Sequence, residues 1–198
     1  MFKIGVLVST KGTDLQAIID EIKSGKMPGI ELAVVLSNKK DCYALARARA
    51  QGFKSIFVSP KNPDGTPRTR EEFDAELAKI LKEHKVDLVV LVGYMRILTP
   101  GFVRQFPKRI INVHPALIPK YCGEKFFGSS VHAAVLAAHE KTSGMTIHYV
   151  EEGVDTGEII FQKTCPVLPD DTEDTLKERV QALEKQWYPE VIRRLSKA

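Results

Sequence analysis

The chain has 198 residues, 43% apolar and 27% charged, the mix of an ordinary globular protein and not of a collagen-like, disordered or low-complexity one. At this size folding removes roughly 70% of the unfolded surface from water, so one sizeable core is expected. Lys plus Arg is 29 against 25 for Asp plus Glu, a net charge of +4 spread without a block of like sign; that is too mild to indicate nucleic acid, and it suits small anionic substrates.

The apolar runs are far shorter than the roughly twenty residues of a membrane helix, and Met1 leads straight into Phe2-Lys3-Ile4 without a signal region. No membrane association and a cytoplasmic location are expected. Cys42, Cys122 and Cys165 are odd in number and lack Cys-x-x-Cys spacing, so they read as reduced thiols with neither a disulfide framework nor a metal site.

In chain order, residues 4–8 and 32–36 are short aliphatic runs without alternation, the pattern of parallel strands buried on both faces. Between them Leu15, Ile18, Ile19 and Ile22 recur at helical spacing, and Thr13 with Gln16 predicts a capping box at the helix start. An Ala-rich helix over 43–51, a short strand over 55–58 and a polar Pro/Gly loop over 60–67 follow. Thr69 and Glu72 then predict a second capping box, opening a helix through Phe73, Leu77, Ile80 and Leu81 to about His84. Strands at 88–92 and 110–114 complete the alternation of a doubly wound, mostly parallel α/β sheet.

Beyond it, residues 115–128 read as a long irregular loop, the kind that is often functional in a compact domain. Residues 146–150 alternate like a strand with one polar face, Val154-Asp155-Thr156-Gly157 is a turn, and 159–161 is another strand. Leu176, Val180, Leu183 and Trp187 mark a long C-terminal helix that Pro189 should kink. No repeat or linker divides the chain, and a single domain over 1–198 is expected.

Four segments carry candidate chemistry. Ser9-Thr10-Lys11-Gly12-Thr13-Asp14 joins a strand to a helix, where uncapped N–H groups and the macrodipole favour phosphate. With one glycine it matches neither the Rossmann nor the P-loop fingerprint, and an ordinary capped turn is an equal reading. Asn112 and His114 alternate onto one side of a central strand at its C-terminal end, where open α/β sheets place ligands. Asp155 sits in a turn; a carboxylate beside His114 would stabilise the imidazolium, although Asp-x-Gly is also plain turn chemistry. Tyr94-Met95-Arg96-Ile97-Leu98 follows a strand and could wall a planar pocket, with Arg96 reaching an anion. His84, His132, His139 and His148 have no ligand spacing and read as surface or structural positions, His132 preceding an Ala-rich helix.

From about Lys3 to Leu195 the chain resembles the glycinamide ribonucleotide formyltransferases, folate-dependent enzymes of purine synthesis. The carrying motifs are Gly12-Thr13-Asp14-Leu15-Gln16-Ala17, Met95-Arg96-Ile97-Leu98, Asn112-Val113-His114-Pro115 with Leu117-Ile118-Pro119-Lys120, and Val154-Asp155-Thr156-Gly157. The resemblance implies the Rossmann-like formyltransferase fold and formyl transfer from 10-formyltetrahydrofolate to glycinamide ribonucleotide, without a metal. It gives Asn112 the formyl oxygen, His114 proton transfer, and Asp155 the task of holding His114 protonated. It sets the nucleotide on Gly12, Thr13, Asp14 and Glu184, in a nucleotide-binding half of about residues 1–100. Met95, Arg96, Ile97 and Leu98 would line the folate site, with Arg70 near the glutamate tail and the loop from Val150 to Asp155 closing over the ring, in a folate and catalytic half of about 88–198.

The resemblance also allows a homodimer. Two departures from the family pattern stand out: Thr10-Lys11-Gly12-Thr13-Asp14 replaces the usual Gly-x-Gly-Ser-Asn, and residues 121–128 differ from the shorter Pro-Gly-rich form. A carboxylate at Asp14 repels phosphate, Lys11 being the charge that could offset it. Formyltetrahydrofolate hydrolase and methionyl-tRNA formyltransferase would each need an added domain, for which 198 residues leave no room. A non-catalytic nucleotide-binding module is the reading from another class.

Overall fold

A computed structural model describes residues 1–126 and 129–197. The elements run β1 (Phe2–Val8), α1 (Thr13–Lys23), β2 (Ile30–Ser37), α2 (Tyr43–Ala50), β3 (Ser55–Phe57), α3 (Arg70–Glu83), β4 (Leu88–Val92), α4 (Pro100–Val103), β5 (Ile110–His114), α5 (Ser129–Ala137), β6 (Thr142–Tyr149), β7 (Ile159–Pro166) and α6 (Glu173–Leu195). They build one seven-stranded sheet in the order β3-β2-β1-β4-β5-β6-β7. The first five strands are parallel, and β6 and β7 join antiparallel.

Alternation along the central strands sorts the core into two layers. Ile4, Val6, Val8, Leu88, Val90, Val92, Ile111 and Val113 meet α1, α2, α5 and α6 on one face. Leu7, Val89, Leu91 and Ile110 meet Phe73, Leu77 and Leu81 of α3 and Phe102 of α4 on the other. Each fully buried aliphatic side chain contributes about 1.5–3 kcal/mol. Covering both faces is what keeps β1, β2 and β4 almost wholly apolar.

The chain leaves β1 toward β2 and β3, then returns to place β4 on β1's other side. The strand order reverses there, opening a crevice at the strands' C-terminal ends. The loops after β1 and β4 are stitched together across it: Ser9 N donates to Gly93 O (3.3 Å) and Met95 N to Ser9 Oγ (3.0 Å).

The capping box at Thr69 and Glu72 is present, with Glu72 N on Thr69 Oγ1 at 3.1 Å and Thr69 N on the Glu72 carboxylate at 2.8 Å. The one expected at Thr13 and Gln16 is not. Gly12 caps α1 in the left-handed region (φ 69°) with no side-chain hydrogen bond, and Gln16 turns away to donate to Asp20 at 2.6 Å. A Cβ on Gly12 would press on Ala44 of α2, so close packing of α2 favours glycine at this N-cap.

β6 begins four residues before the strand expected from alternation, and β7 runs on through the polar Gln162, Lys163 and Thr164 as an exposed edge. His132 lies inside α5 and is 2% exposed, so the expectation that it precedes the helix is corrected. α6 continues unbroken through Pro189. Of the long loop expected over 115–128, Phe127 and Gly128 lie outside the described residues.

Candidate active site

Asn112 and His114 close β5 on the face opposite Ile111 and Val113 and look into a cleft of about 350 Å³. In the antiparallel register Asn112 stands opposite His148 of β6, and directly paired residues share a face. That pairing brings His148 into the cluster. Asn112 Nδ2 lies 3.3 Å from His148 Nε2, while His148 Nδ1 is 2.8 Å from Tyr149 O. A carbonyl only accepts, so Nδ1 carries a proton, while Nε2 faces both the Asn112 amide and the Asp155 carboxylate.

Asp155 enters from the turn between β6 and β7, in a left-handed conformation (φ 56°) that Asp tolerates better than most residues. Its carboxylate spans both imidazoles, Oδ2 at 3.5 Å from His114 Nδ1 and Oδ1 at 3.5 Å from His148 Nε2. Gly123 N donates to Oδ2 at 3.0 Å. The other ring nitrogen of His114, Nε2, lies 2.7 Å from Tyr121 O and therefore carries a proton.

Two opposing influences set the protonation of this group. Burial pulls the His114 pKa down, Asp155 and the Tyr121 carbonyl pull it up, and the balance is downward. Asp155 therefore favours the imidazolium, yet does not outweigh desolvation at a ring only 4% exposed. For Asp155, burial pushes upward, but hydrogen bonding to His148, the nearby His114 and the Gly123 N–H together hold its carboxyl below the usual range.

Met95, Arg96, Ile97, Leu98, Val150 and Asp155 all line the same cleft as Asn112 and His114. Arg70 does not line it but donates to Ile97 O at 2.8 Å, bracing the loop from outside. Arg96 is less free than expected, its guanidinium lying 4.3 Å over the Phe73 ring. The turn bearing Asp155 is tied down by Arg104–Glu152 and Lys108–Glu158, each at 2.8 Å.

Gly12, Thr13, Asp14 and Glu184 form a second group, outside the residues lining the cleft. Asp14 in the first turn of α1 and Glu184 of α6 are both buried; burial pushes both carboxyls up, and the charge of Asp14 adds to the rise at Glu184. Lys185 is the cation that pulls both carboxyls down against their burial. Tyr188, one turn along α6, donates its hydroxyl toward Leu91 O (2.9 Å) and Ile111 O (3.1 Å), tying this group to β4 and β5.

Sequence reasoning missed His148, Tyr121 and Gly123 as members of the site. For His148 the signal was its place on the polar side of an alternating strand with Thr146. For Tyr121 and Gly123 only the backbone acts, and no residue type announces that. Among the described residues no group of three or more His, Cys, Asp or Glu side chains is placed to hold a metal ion.

Residues 2–192 match the family model described as formyl transferase. The chain is 39% identical to the phosphoribosylglycinamide formyltransferase of Haemophilus influenzae, over 98% of this chain and 86% of that one. It is 42% identical to the trifunctional purine biosynthetic protein adenosine-3 of Drosophila melanogaster, over 96% of this chain but only 14% of the fly protein's length. The crystal structure of glycinamide ribonucleotide transformylase 1 from Symbiobacterium toebii superposes with a TM-score of 0.88 at 42% identity, covering 98% of this chain and 86% of that one. Sequence and architecture agree along nearly the whole length: the chain belongs to the formyl transferase family.

Proposed function

We propose that the protein transfers the formyl group of 10-formyltetrahydrofolate to the amine of glycinamide ribonucleotide, a step of purine biosynthesis. The observation that carries this is the convergence of Asn112, His114, Asp155 and the 95–98 loop on one cleft, with Gly12–Asp14 and Glu184 beside it, in a member of this family. The Haemophilus influenzae and Escherichia coli relatives named phosphoribosylglycinamide formyltransferase support this substrate pair over folate hydrolysis or a non-catalytic module.

An N–H of the Asn112 amide would donate to the formyl oxygen as negative charge develops there, a contact stronger in the transition state than before it. His114 would take part in proton transfer between the attacking amine and the departing folate nitrogen, and Asp155 would lower the cost of its charged form. Fixed at the Tyr121 carbonyl, His114 presents Nδ1 as the nitrogen that changes protonation. The apolar Met95, Ile97, Leu98 and Val150 would pack against the pterin, with backbone groups of the same loop supplying polar contacts. Backbone N–H groups of Gly12, Thr13 and Asp14, free of a side-chain cap, would receive the phosphate. On this division residues 1–198 work as one domain, with Glu184 reaching from the catalytic half to the nucleotide.

An assay with glycinamide ribonucleotide and 10-formyltetrahydrofolate, following folate absorbance with and without the nucleotide, tests the proposal. Turnover that depends on the nucleotide is expected. Turnover indifferent to it would indicate the hydrolase.

A further inference from the structure

The carbonyl that fixes His114 belongs to a residue in an unfavourable conformation. Tyr121 stands at φ 52°, the left-handed region that a bulky aromatic residue rarely adopts, so surrounding contacts must hold it there. The base of its loop is fixed by Thr146, whose fully buried hydroxyl donates to Ala116 O at 2.7 Å and accepts from Ile118 N at 3.1 Å and Gln162 Nε2 at 2.9 Å. The tip is held through a carboxylate. Glu140, in the connection between α5 and β6, accepts at Oε1 from the Tyr121 hydroxyl (2.9 Å) and from Lys120 Nζ (2.8 Å). On that side a cavity of about 250 Å³ is lined by Leu117, Lys120 and Tyr121 of the loop and by Val135, Glu140 and Ser143 opposite. The Tyr121 ring also packs against the core layer that meets α5 and, edge-on at 5.8 Å, against Phe126. Apolar contacts of that kind have no direction, whereas the hydroxyl bond to Glu140 does.

We propose that Glu140 is a positioning residue for His114: through the Tyr121 hydroxyl it holds the Tyr121 carbonyl against His114 Nε2, and so selects which ring nitrogen exchanges protons. This deepens the proposed function and rests on its assignment of proton transfer to His114. The two nitrogens compete for one proton in the neutral ring. Tyr121 O, 2.7 Å from Nε2, favours the proton there, whereas Asp155 Oδ2, 3.5 Å from Nδ1, favours it on the other side. Only with Nε2 protonated does the neutral ring keep its Nδ1 lone pair open to accept a proton. A displaced carbonyl gives the advantage to Asp155, and Nδ1 is then already occupied. Hydrogen bonds from Lys120 and Tyr121 hold the Glu140 carboxyl below its ordinary range, so it remains an acceptor. Partial burial and Glu140 itself push the Tyr121 phenol up, so it remains a donor.

¹⁵N NMR of the histidine rings in the ligand-free full chain tests this without reference to turnover. Neutral His114 should be the Nε2–H tautomer in wild type. In Glu140→Ala and in Tyr121→Phe the Nδ1–H form should gain, and the titration midpoint should fall by about half a pH unit as a hydrogen bond to the charged ring is weakened. Asp155, His148 and His132, the titratable groups acting on His114, are left in place by both variants. Glu140→Gln keeps an oxygen acceptor at the same reach and should retain the wild-type signature. With glycinamide ribonucleotide and 10-formyltetrahydrofolate, Glu140→Ala should lower kcat about three- to tenfold while KM for the nucleotide stays within about twofold. Combining Glu140→Ala with Tyr121→Phe should cost no more than either alone, since both break one contact. An unmoved tautomer and midpoint in Glu140→Ala, or losses that add in the double variant, overturn the proposal. A wild type that ignores both substrates overturns the functional reading, while the NMR titration still decides whether Glu140 positions the ring.

Discussion

Asn112, His114 and Asp155 each meet a polar partner in the cleft: the Asn112 amide nitrogen lies 3.3 Å from His148 Nε2, His114 Nε2 is 2.7 Å from Tyr121 O, and Gly123 N donates to Asp155. Asn112→Ala should lower kcat by about a hundredfold or more, the usual effect of losing one oxyanion donor, with nucleotide affinity nearly unchanged. Steady-state kinetics and calorimetry check the two halves separately; matching losses in both would make Asn112 structural. For His114 the sign of the electrostatics is testable. Its pKa is already pulled below the ordinary value by burial, and the Asp155 carboxylate opposes that pull. Asp155→Asn removes an anion beside a group that becomes a cation, so the His114 midpoint in an NMR titration should move further down and kcat should fall. A midpoint that stays or rises would leave Asp155 as a turn residue only.

At the scale of elements, two connections carry the geometry. The β6–β7 turn places Asp155, and Gly157 sets that turn: a Cβ there would land on the Tyr149 carbonyl, the same oxygen that His148 Nδ1 contacts. Gly157→Ala should therefore displace Asp155 and His148 together and reduce kcat by up to about a hundredfold, with the thermal midpoint moving far less than the rate. α5 carries a buried titratable group of its own. Burial, with lesser repulsion from Lys177 and His114, pushes the His132 pKa down to about 4. The unfolded chain thus binds this proton more readily, and stability is full above the ordinary imidazole range and declines as pH falls from about 6.5 toward 4. The loss should be on the order of 2 kcal/mol, part of the charge being screened by water reaching the ring. Urea titrations at pH 7 and 4.5 should show a smaller acid loss in His132→Asn than in wild type.

Across the whole molecule, the strand order reverses at β1 and β4, whose following loops share one backbone seam. On the proposed function the nucleotide end would rest on α1 and α6, while the cleft lies on the β4–α4 loop and the ends of β5 and β6. Damage at one end should spare binding at the other. Gly12 is left-handed and packed on Ala44, so Gly12→Val strains the turn and obstructs close approach of a phosphate. It should weaken glycinamide ribonucleotide binding at least about tenfold, while a folate analogue titrated by fluorescence should bind as in wild type. Loss of both affinities would show that the two ends are not independent.

Residue pattern alone determined the parallel strands, since Val, Ile and Leu runs buried on both faces leave no other sheet, and alternation alone placed Asn112 and His114 on one side of β5. The capping box at Thr69 was legible because its two partners are three residues apart. Thr13 with Gln16 has the same spacing, yet packing of α2 against Gly12 decided otherwise, a contact across the fold that local pattern does not record. The β5–β6 register likewise belongs to tertiary structure: it sets His148 opposite Asn112 across thirty-six residues of chain. The burial of Asp14 and Glu184 is of the same kind, for a carboxylate's surroundings depend on which helices close over it. Local interactions choose the elements, and the protonation and orientation of the site follow from what those elements bury together.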